Sequence, residues 1–411
     1  MHSSLGRRTG GNSNLIMANV PYIDTAEITN KKVLMRVDFN VSLKPDHTIA
    51  NDTRIQQALP TIRYLLEHGN KLIMTSHLGR PKGRDPQFSL QPVVAKLQEL
   101  FPDKKVILVD DFLKDKTALD NQQPNEIIML ENIRFYPEEK KNDEGFARSL
   151  SSLGDVYVND AFGVSHRADA SVVGVTKFMP SYGGLLLKKE VEMISKITEN
   201  PKKPVVAILG GAKISTKIHL VEKLMTIADY LILGGGIANT FLKAQGYEIG
   251  KSICEYEEVN AAHKMLFDAA QKSTQIILPN DALVAKDMEA TEGEVVSVHA
   301  IPADSLILDV GPETQAKFGS VLAQASTIVW NGPVGYFENP AFRRGTDFLY
   351  YSITDNTEAV SIVGGGDTLS AISKKEYLDK ITHISTGGGA MLEFIEKGTL
   401  PGIDALRSQT T

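Results

Sequence analysis

Short, nearly continuous apolar runs alternate along this chain with longer stretches of helical spacing, and that rhythm restricts the fold more than any other feature. Runs rich in Val, Ile and Leu occupy 31–39, 71–77, 105–111, 126–135 and 156–160. They resume at 204–211, 229–236, 274–281, 326–333, 359–367 and 382–390. Between the first two, residues 55–69 carry apolar side chains at near-helical spacing and close on Gly69, a helix stop signal. Strands without polar alternation, separated by helices, belong to parallel sheets covered on both faces. Eleven such runs exceed one comfortable sheet, and the 411 residues allow two domains at roughly 100–200 residues each. A break is expected between about 180 and 204, where PSYGG, a lysine-flanked helical segment and NPKKP follow in succession. The reading is an α/β chain of two doubly wound, Rossmann-like parallel-sheet domains. Their expected bounds are 17–185 and 204–404, with an inter-domain helix and linker at 186–203 and a tail at 405–411.

Composition removes several function classes. A formal net charge of −6 argues against a general nucleic-acid binder, which needs clustered positive charge. No run of roughly 18 apolar residues is present, so no membrane-spanning helix is expected. Cys254 is the one cysteine, which excludes an intrachain disulfide and four-thiolate metal sites and fits a reduced, cytoplasmic setting. Residues 1–16 are polar and rich in Gly, Ser and Asn; Met17 is the expected start, and the preceding residues stay outside the fold reasoning.

In open parallel sheets, ligands bind beyond the carboxyl ends of the strands. The two halves present different chemistry there. In the first, strand ends deliver Arg36, Asp38 and Asn40, then His77 and Arg80, then Arg134, then Asn159 and Asp160 shortly before His166 and Arg167. Arg54 adds a cation just ahead of a helix, and ten of the thirteen arginines lie before residue 170. Arginine suits bidentate binding of phosphate and carboxylate, so these segments together describe a basic cup for a small, multiply anionic molecule.

The second half ends four strands in glycine clusters: Gly210-Gly211, Gly234 to Gly236, Gly364 to Gly366 and Gly387 to Gly389. Glycine lets backbone N–H groups approach phosphate oxygens, and a helix start beyond such a loop adds partial positive charge. One cluster carries Lys213 and another Asp367-Thr368, which favours a nucleotide polyphosphate with its metal. Asp367 suits Mg²⁺, a hard cation that takes few carboxylates and keeps its waters. Residues 246–252 (GYEIGKS) are one residue short of a P-loop and follow a helix-like segment. No dinucleotide fingerprint opens a βαβ unit either.

From about residue 20 to 404 the chain resembles the phosphoglycerate kinase family. The resemblance rests on RVDFNV (36–41), SHLGRP (76–81), LENIRF (130–135), VNDAFG (158–163), ILGGAK (208–213), GGGIANTF (234–241), VWNGPVGYFE (329–338), GGGDT (364–368) and STGGGA (385–390). It implies two domains facing a central cleft, and reversible in-line phosphoryl transfer between 1,3-bisphosphoglycerate and ADP in the closed cleft, giving 3-phosphoglycerate and ATP. Carried over by position, it places Asp38, Phe39, Asn40, Arg54, His77, Leu78, Gly79, Arg80, Arg134, His166 and Arg167 around 3-phosphoglycerate, with His77 and His166 either binding the acid or orienting a neighbouring arginine. It places Gly211, Lys213, Lys217, Gly234, Gly235, Gly311, Asn331, Glu338 and Gly364 to Thr368 around the nucleotide, with Glu338 on the ribose and Asp367 on the magnesium. The family's tail packs back onto the first domain, and a monomer is expected because nothing in the sequence suggests an extra interface element.

Three positions depart from the family pattern: Asp169 where a second histidine is usual, Thr216 for an aspartate, and Met391 for a serine. The acceptor is a carboxylate, ionised at pH 7, so no general base is required. Arg54 and Lys213 are expected to stabilise the transferring phosphoryl, with backbone donors at Gly366 and Gly389. A competing oxidoreductase reading lacks its glycine fingerprint. A non-catalytic nucleotide-sensing protein on the same scaffold would be marked by loss of Arg54, Lys213 or Asp367, and all three are present.

Overall fold

The computed structural model describes residues 20–372 and 376–408. The expected start at Met17, the segment before it and the last three residues of the tail lie outside the described residues. The described residues divide into two compact units, 20–192 with 399–408, and 193–372 with 376–398.

The first unit is built on one parallel sheet of six strands in the order β3-β4-β2-β1-β5-β6. These strands are β1 Lys32–Arg36, β2 Lys71–Thr75, β3 Lys105–Val109, β4 Glu126–Leu130, β5 Val156–Asn159 and β6 Ser181–Gly183. All but the first residue of β1, β2 and β4, and all of β5, are buried, as continuous apolar strands require. The helix Thr53–Glu67 buries Ile55, Ala58, Leu59, Ile62 and Leu65 at intervals of three and four, one apolar stripe laid into the core with Val33, Met35 and Leu72. β4 ends at Leu130 instead of running to 135. Glu131 turns inward to accept the N–H groups of Leu90 and Asn132, each at 2.8 Å, and Asn132 caps a short 3-10 turn.

The second unit repeats the plan in a parallel sheet ordered β15-β14-β13-β7-β8-β9. Its strands are β7 Val205–Leu209, β8 Tyr230–Leu233, β9 Gln275–Ile277, β13 Thr327–Asn331, β14 Val360–Gly364 and β15 His383–Ser385. Strand order reverses between β7 and β13, the place where such sheets open a crevice for ligands. A small antiparallel sheet, β11-β10-β12, adds β10 Asp281–Ala285, β11 Glu294–Ser297 and β12 Leu306–Val310. The eleven runs read from sequence all hold a strand; β6 and this second sheet were not anticipated.

Two boundaries differ from expectation. The division between units falls inside the helix Leu185–Thr198, after Glu192, and the chain returns to the first unit at Thr399, not at 405. The final helix Pro401–Arg407 accounts for the earlier return: the Gly402 amide donates to Ser165 O at 2.8 Å, and a Cβ there would meet Val172 at 2.8 Å.

Candidate active site

In the first unit the sheet gathers the expected cations at its carboxyl end. Arg54, on the helix after the β1 loop, donates through NH1 to Asp38 Oδ2 at 2.9 Å and to Asn40 O at 3.2 Å. Asn40 Oδ1 accepts the Gly79 amide at 2.8 Å, and Arg134 donates to Gly79 O at 2.7 Å. The β1, β2 and β4 loops are thereby tied to one another. Gly79 holds this junction at φ +62°, and a Cβ there would meet the Phe88 ring at 2.4 Å. Arg134 is 7% exposed, and its Nε and NH2 have no partner among the described residues. A buried guanidinium with idle donors is costly unless an anion completes it. Arg80 is exposed, and Arg167 Nε lies 3.3 Å from His166 Nε2.

Not every expected residue presents a side chain. Phe39 and Leu78 are buried in the apolar core, so only their backbone can face a ligand. Phe39 N–H already donates to Ser76 Oγ, and Leu78 O already accepts from Asn132. Asp169, the residue in a histidine's usual place, is 7% exposed; burial raises its carboxyl's pKa against the pull of Arg36 and Arg167.

In the second unit Lys217 sits at the strand-order reversal. Its Nζ donates to Gly210 O at 2.8 Å, at the end of β7, and to Asn331 Oδ1 at 2.9 Å, at the end of β13. Burial pushes its pKa down to about 8, and Asp367 nearby pulls the other way. Asn331 Nδ2 then donates to Gly364 O, and Thr368 Oγ1 accepts the Gly332 amide, both at 2.7 Å. Two of the four glycine clusters, at Gly210 and Gly364, are joined by this network. A Cβ on Gly210 would fall 1.9 Å from Pro333 O, and one on Gly388 2.6 Å from Gly365 Cα. Gly366 and Gly389 differ: nothing lies within 4 Å of a Cβ there, so packing does not demand glycine at either.

Beside these loops lies a cavity of about 220 Å³. Gly235 and Gly236 form part of its wall with Leu306, Leu308 and Val334, and Glu338 and Asp367 supply carboxylates. An apolar slot between carboxylates and close-set glycines suits a flat heterocycle joined to a sugar and phosphates. Gly311 does not line it; it precedes the helix Pro312–Leu322, pressed against the Asp281 carboxylate that caps that helix through Glu313 N and Thr314 N. Lys213 is exposed, and Met391 is buried with its thioether against Gly364.

The phosphoglycerate kinase family pattern matches residues 23–398. The chain belongs to the phosphoglycerate kinase family. The phosphoglycerate kinase of Moorella thermoacetica is 48% identical over 384 residues, covering 92% of this chain and 97% of that protein. The cytosolic phosphoglycerate kinase of Triticum aestivum is 45% identical, covering 94% and 98%. The solved structure of phosphoglycerate kinase from Coxiella burnetii matches with TM-score 0.86 and 43% identity, covering 95% of this chain and all of that one. The two six-stranded sheets are the α/β fold of this family. Phosphoglycerate kinases are phosphotransferases with a carboxyl group as acceptor, and their reaction belongs to glycolysis and gluconeogenesis.

Sequence reasoning missed what lies beneath the cup. Glu139 is fully buried, receives Ser171 N–H at 2.9 Å and Ser171 O–H at 2.5 Å, and has its pKa pushed up to about 7 by burial. Neither PEEK (137–140) nor ASVV (170–173) carries a recognisable signal. Among the described residues no helix is long and apolar enough to cross a membrane.

Proposed function

We propose that the first unit holds 3-phosphoglycerate or 1,3-bisphosphoglycerate and the second holds ATP or ADP, with the transfer running in line between an acyl phosphate and the terminal phosphate oxygen. The observation that carries this is the contrast between the two strand-end sites. One offers Arg134 with two buried idle donors; the other offers Lys217 and close-set glycines beside an apolar slot.

In the first unit, Arg134 supplies charge-assisted bonds to the acid's anionic groups, with Arg80, Arg167 and His166 around it. Arg54 is placed for the transferring group and Asp38 sets its direction. In the second, Lys217 and the Gly210-Gly211 and Gly364 to Gly366 loops receive the phosphates, while Glu338 at the cavity takes the ribose hydroxyls. Lys213, exposed beyond Gly211, reaches the group in transfer. The 3-phosphoglycerate carboxylate is already a nucleophile at pH 7, so positioning and charge neutralisation make up the catalysis.

Magnesium fits the donor set. Among the described residues no cluster of three ligating side chains exists, whereas Asp367 is exposed at the cavity beside the open face of Gly366. One carboxylate with phosphate oxygens and waters is how Mg²⁺ is ordinarily bound with nucleotides. When bound it neutralises charge on the transferring phosphoryl group. The protein is proposed to act as a cytoplasmic monomer.

Lys217 provides the test. It loses its proton as pH rises through about 8, so the charge that meets phosphate is lost above that pH. Affinity for Mg·ADP, measured by calorimetry, is expected to fall by up to about tenfold per pH unit above 8. In Lys217→Met the affinity is expected to be low and flat across the same range. Wild-type affinity that does not change between pH 7 and 9.5 contradicts the assignment.

A further inference from the structure

We infer that Glu139 and Ser171 act through Arg36 as positioning residues for 3-phosphoglycerate, fixing His77 as a neutral imidazole that donates from Nε2. The inference rests on the assignment of His77 to the 3-phosphoglycerate site.

Arg36 ends β1 and is 1% exposed, so it lies under the cup and not in it. Its donors are committed inside the protein. Nε donates to Ser171 Oγ at 2.8 Å; NH1 faces Val37 O and, at 3.5 Å, Thr75 O; NH2 lies 3.4 Å from His77 Nδ1. Four of the five guanidinium N–H groups are thus directed, and the orientation of the plane is set by Ser171. Ser171 is itself 1% exposed and immobilised on three sides. Its hydroxyl and amide both donate to Glu139, and its carbonyl accepts the Tyr157 hydroxyl at 2.7 Å. A carboxylate acting through one hydroxyl therefore aims the arginine.

The consequence falls on His77, which is 2% exposed. A guanidinium only donates and is never deprotonated, so the Nδ1 facing Arg36 must present its lone pair. The other neighbour of Nδ1, Asp38 Oδ1, stands 4.0 Å away, beyond hydrogen-bond length. The ring proton is accordingly on Nε2, which has no hydrogen-bond partner among the described residues and is left to donate to an anion's oxygen. Burial, then the charges of Arg36, Arg167 and Arg54, also hold the ring well below its ordinary pKa. Here the arginine orients the histidine.

The relay is tested on the full chain, uniformly ¹⁵N-labelled, by two-bond ¹H–¹⁵N spectra of the histidine rings alongside steady-state kinetics. Wild type is expected to show His77 as the Nε2–H tautomer at pH 8, above the raised pKa of Glu139. Ser171→Ala removes the bridge: KM for 3-phosphoglycerate is expected to rise about tenfold, KM for ATP to stay unchanged, and His77 to show mixed tautomers or begin to titrate. Glu139→Gln keeps the shape and carries the test should Ser171→Ala not fold. An Nδ1–H or charged His77 in wild type overturns the relay, and so do unchanged ring signals and unchanged KM in a folded variant. The ring spectrum needs no activity. Wild type showing Nε2–H yet failing to bind 3-phosphoglycerate would overturn the site assignment and leave the aiming of His77 standing.

Discussion

Arg54→Ala is expected to lower kcat by about 10²–10³-fold while leaving nucleotide affinity unchanged. The side chain sits on the first turn of the helix Thr53–Glu67, where Asp38 Oδ2 and Asn40 O hold NH1. That hold is directional and does not bury the charge, since the side chain remains 33% exposed. A positive group kept in place but still wet is suited to charge that appears only during transfer, and such an interaction acts on kcat more than on KM. Structural cost is small by comparison: a partly exposed ion pair contributes roughly 0–1 kcal/mol. Steady-state kinetics with both substrates, alongside thermal unfolding, separate the two effects. Near-normal kcat in a folded Arg54→Ala variant would remove Arg54 from the chemistry.

Gly365→Ala and Gly366→Ala are neighbours with opposite expected outcomes. Gly365 has φ +112°, and a Cβ there would lie 2.6 Å from Asn331 Nδ2 and 2.9 Å from Thr368 Oγ1. Both of those groups are already committed, to Gly364 O and the Gly332 amide, and Asn331 also holds Lys217. One methyl thus adds backbone strain of order 1–3 kcal/mol and pushes on the side chain that positions the lysine. Stability is expected to fall by about 2–4 kcal/mol and the nucleotide Kd to rise more than tenfold. At Gly366 the methyl meets nothing within 4 Å, so the variant is expected to unfold like wild type. Its cost appears in kcat, about tenfold or more, because the methyl enters the space assigned to the transferring phosphate. Urea unfolding and single-site nucleotide titration on both variants decide this. Equal destabilisation of the two would show that glycine at 366 serves the fold.

The same pair shows where sequence reading reaches and where it stops. That a glycine cluster ends β14 is visible in the chain; which of its members is demanded by packing depends on Asn331 and Thr368, more than thirty residues away from the first and three from the second. Parallel strands were legible because burial on both faces leaves an unbroken apolar run, as in VVAIL of β7. The antiparallel sheet was not, since β11 is largely exposed and DALVA of β10 has neither a clean alternation nor β-branched density. β6 is only three residues long. The cations of the cup could be read from strand ends, but Phe39 and Leu78 came along with their motifs although their side chains belong to the core. Glu139 and Ser171 had no signal at all, because a buried arginine aimed by a carboxyl group through a hydroxyl is a fact of three-dimensional neighbours and not of spacing.

The central claim is that one site takes the acid and the other the nucleotide, and that transfer requires both. Its most direct test is ADP formation from Mg·ATP with 3-phosphoglycerate, the bisphosphoglycerate product being removed by a coupled enzyme. The account predicts turnover that vanishes when either magnesium or 3-phosphoglycerate is withheld. ATP binding with no turnover under complete conditions would contradict it, and would turn this chain into a nucleotide sensor built on a kinase scaffold.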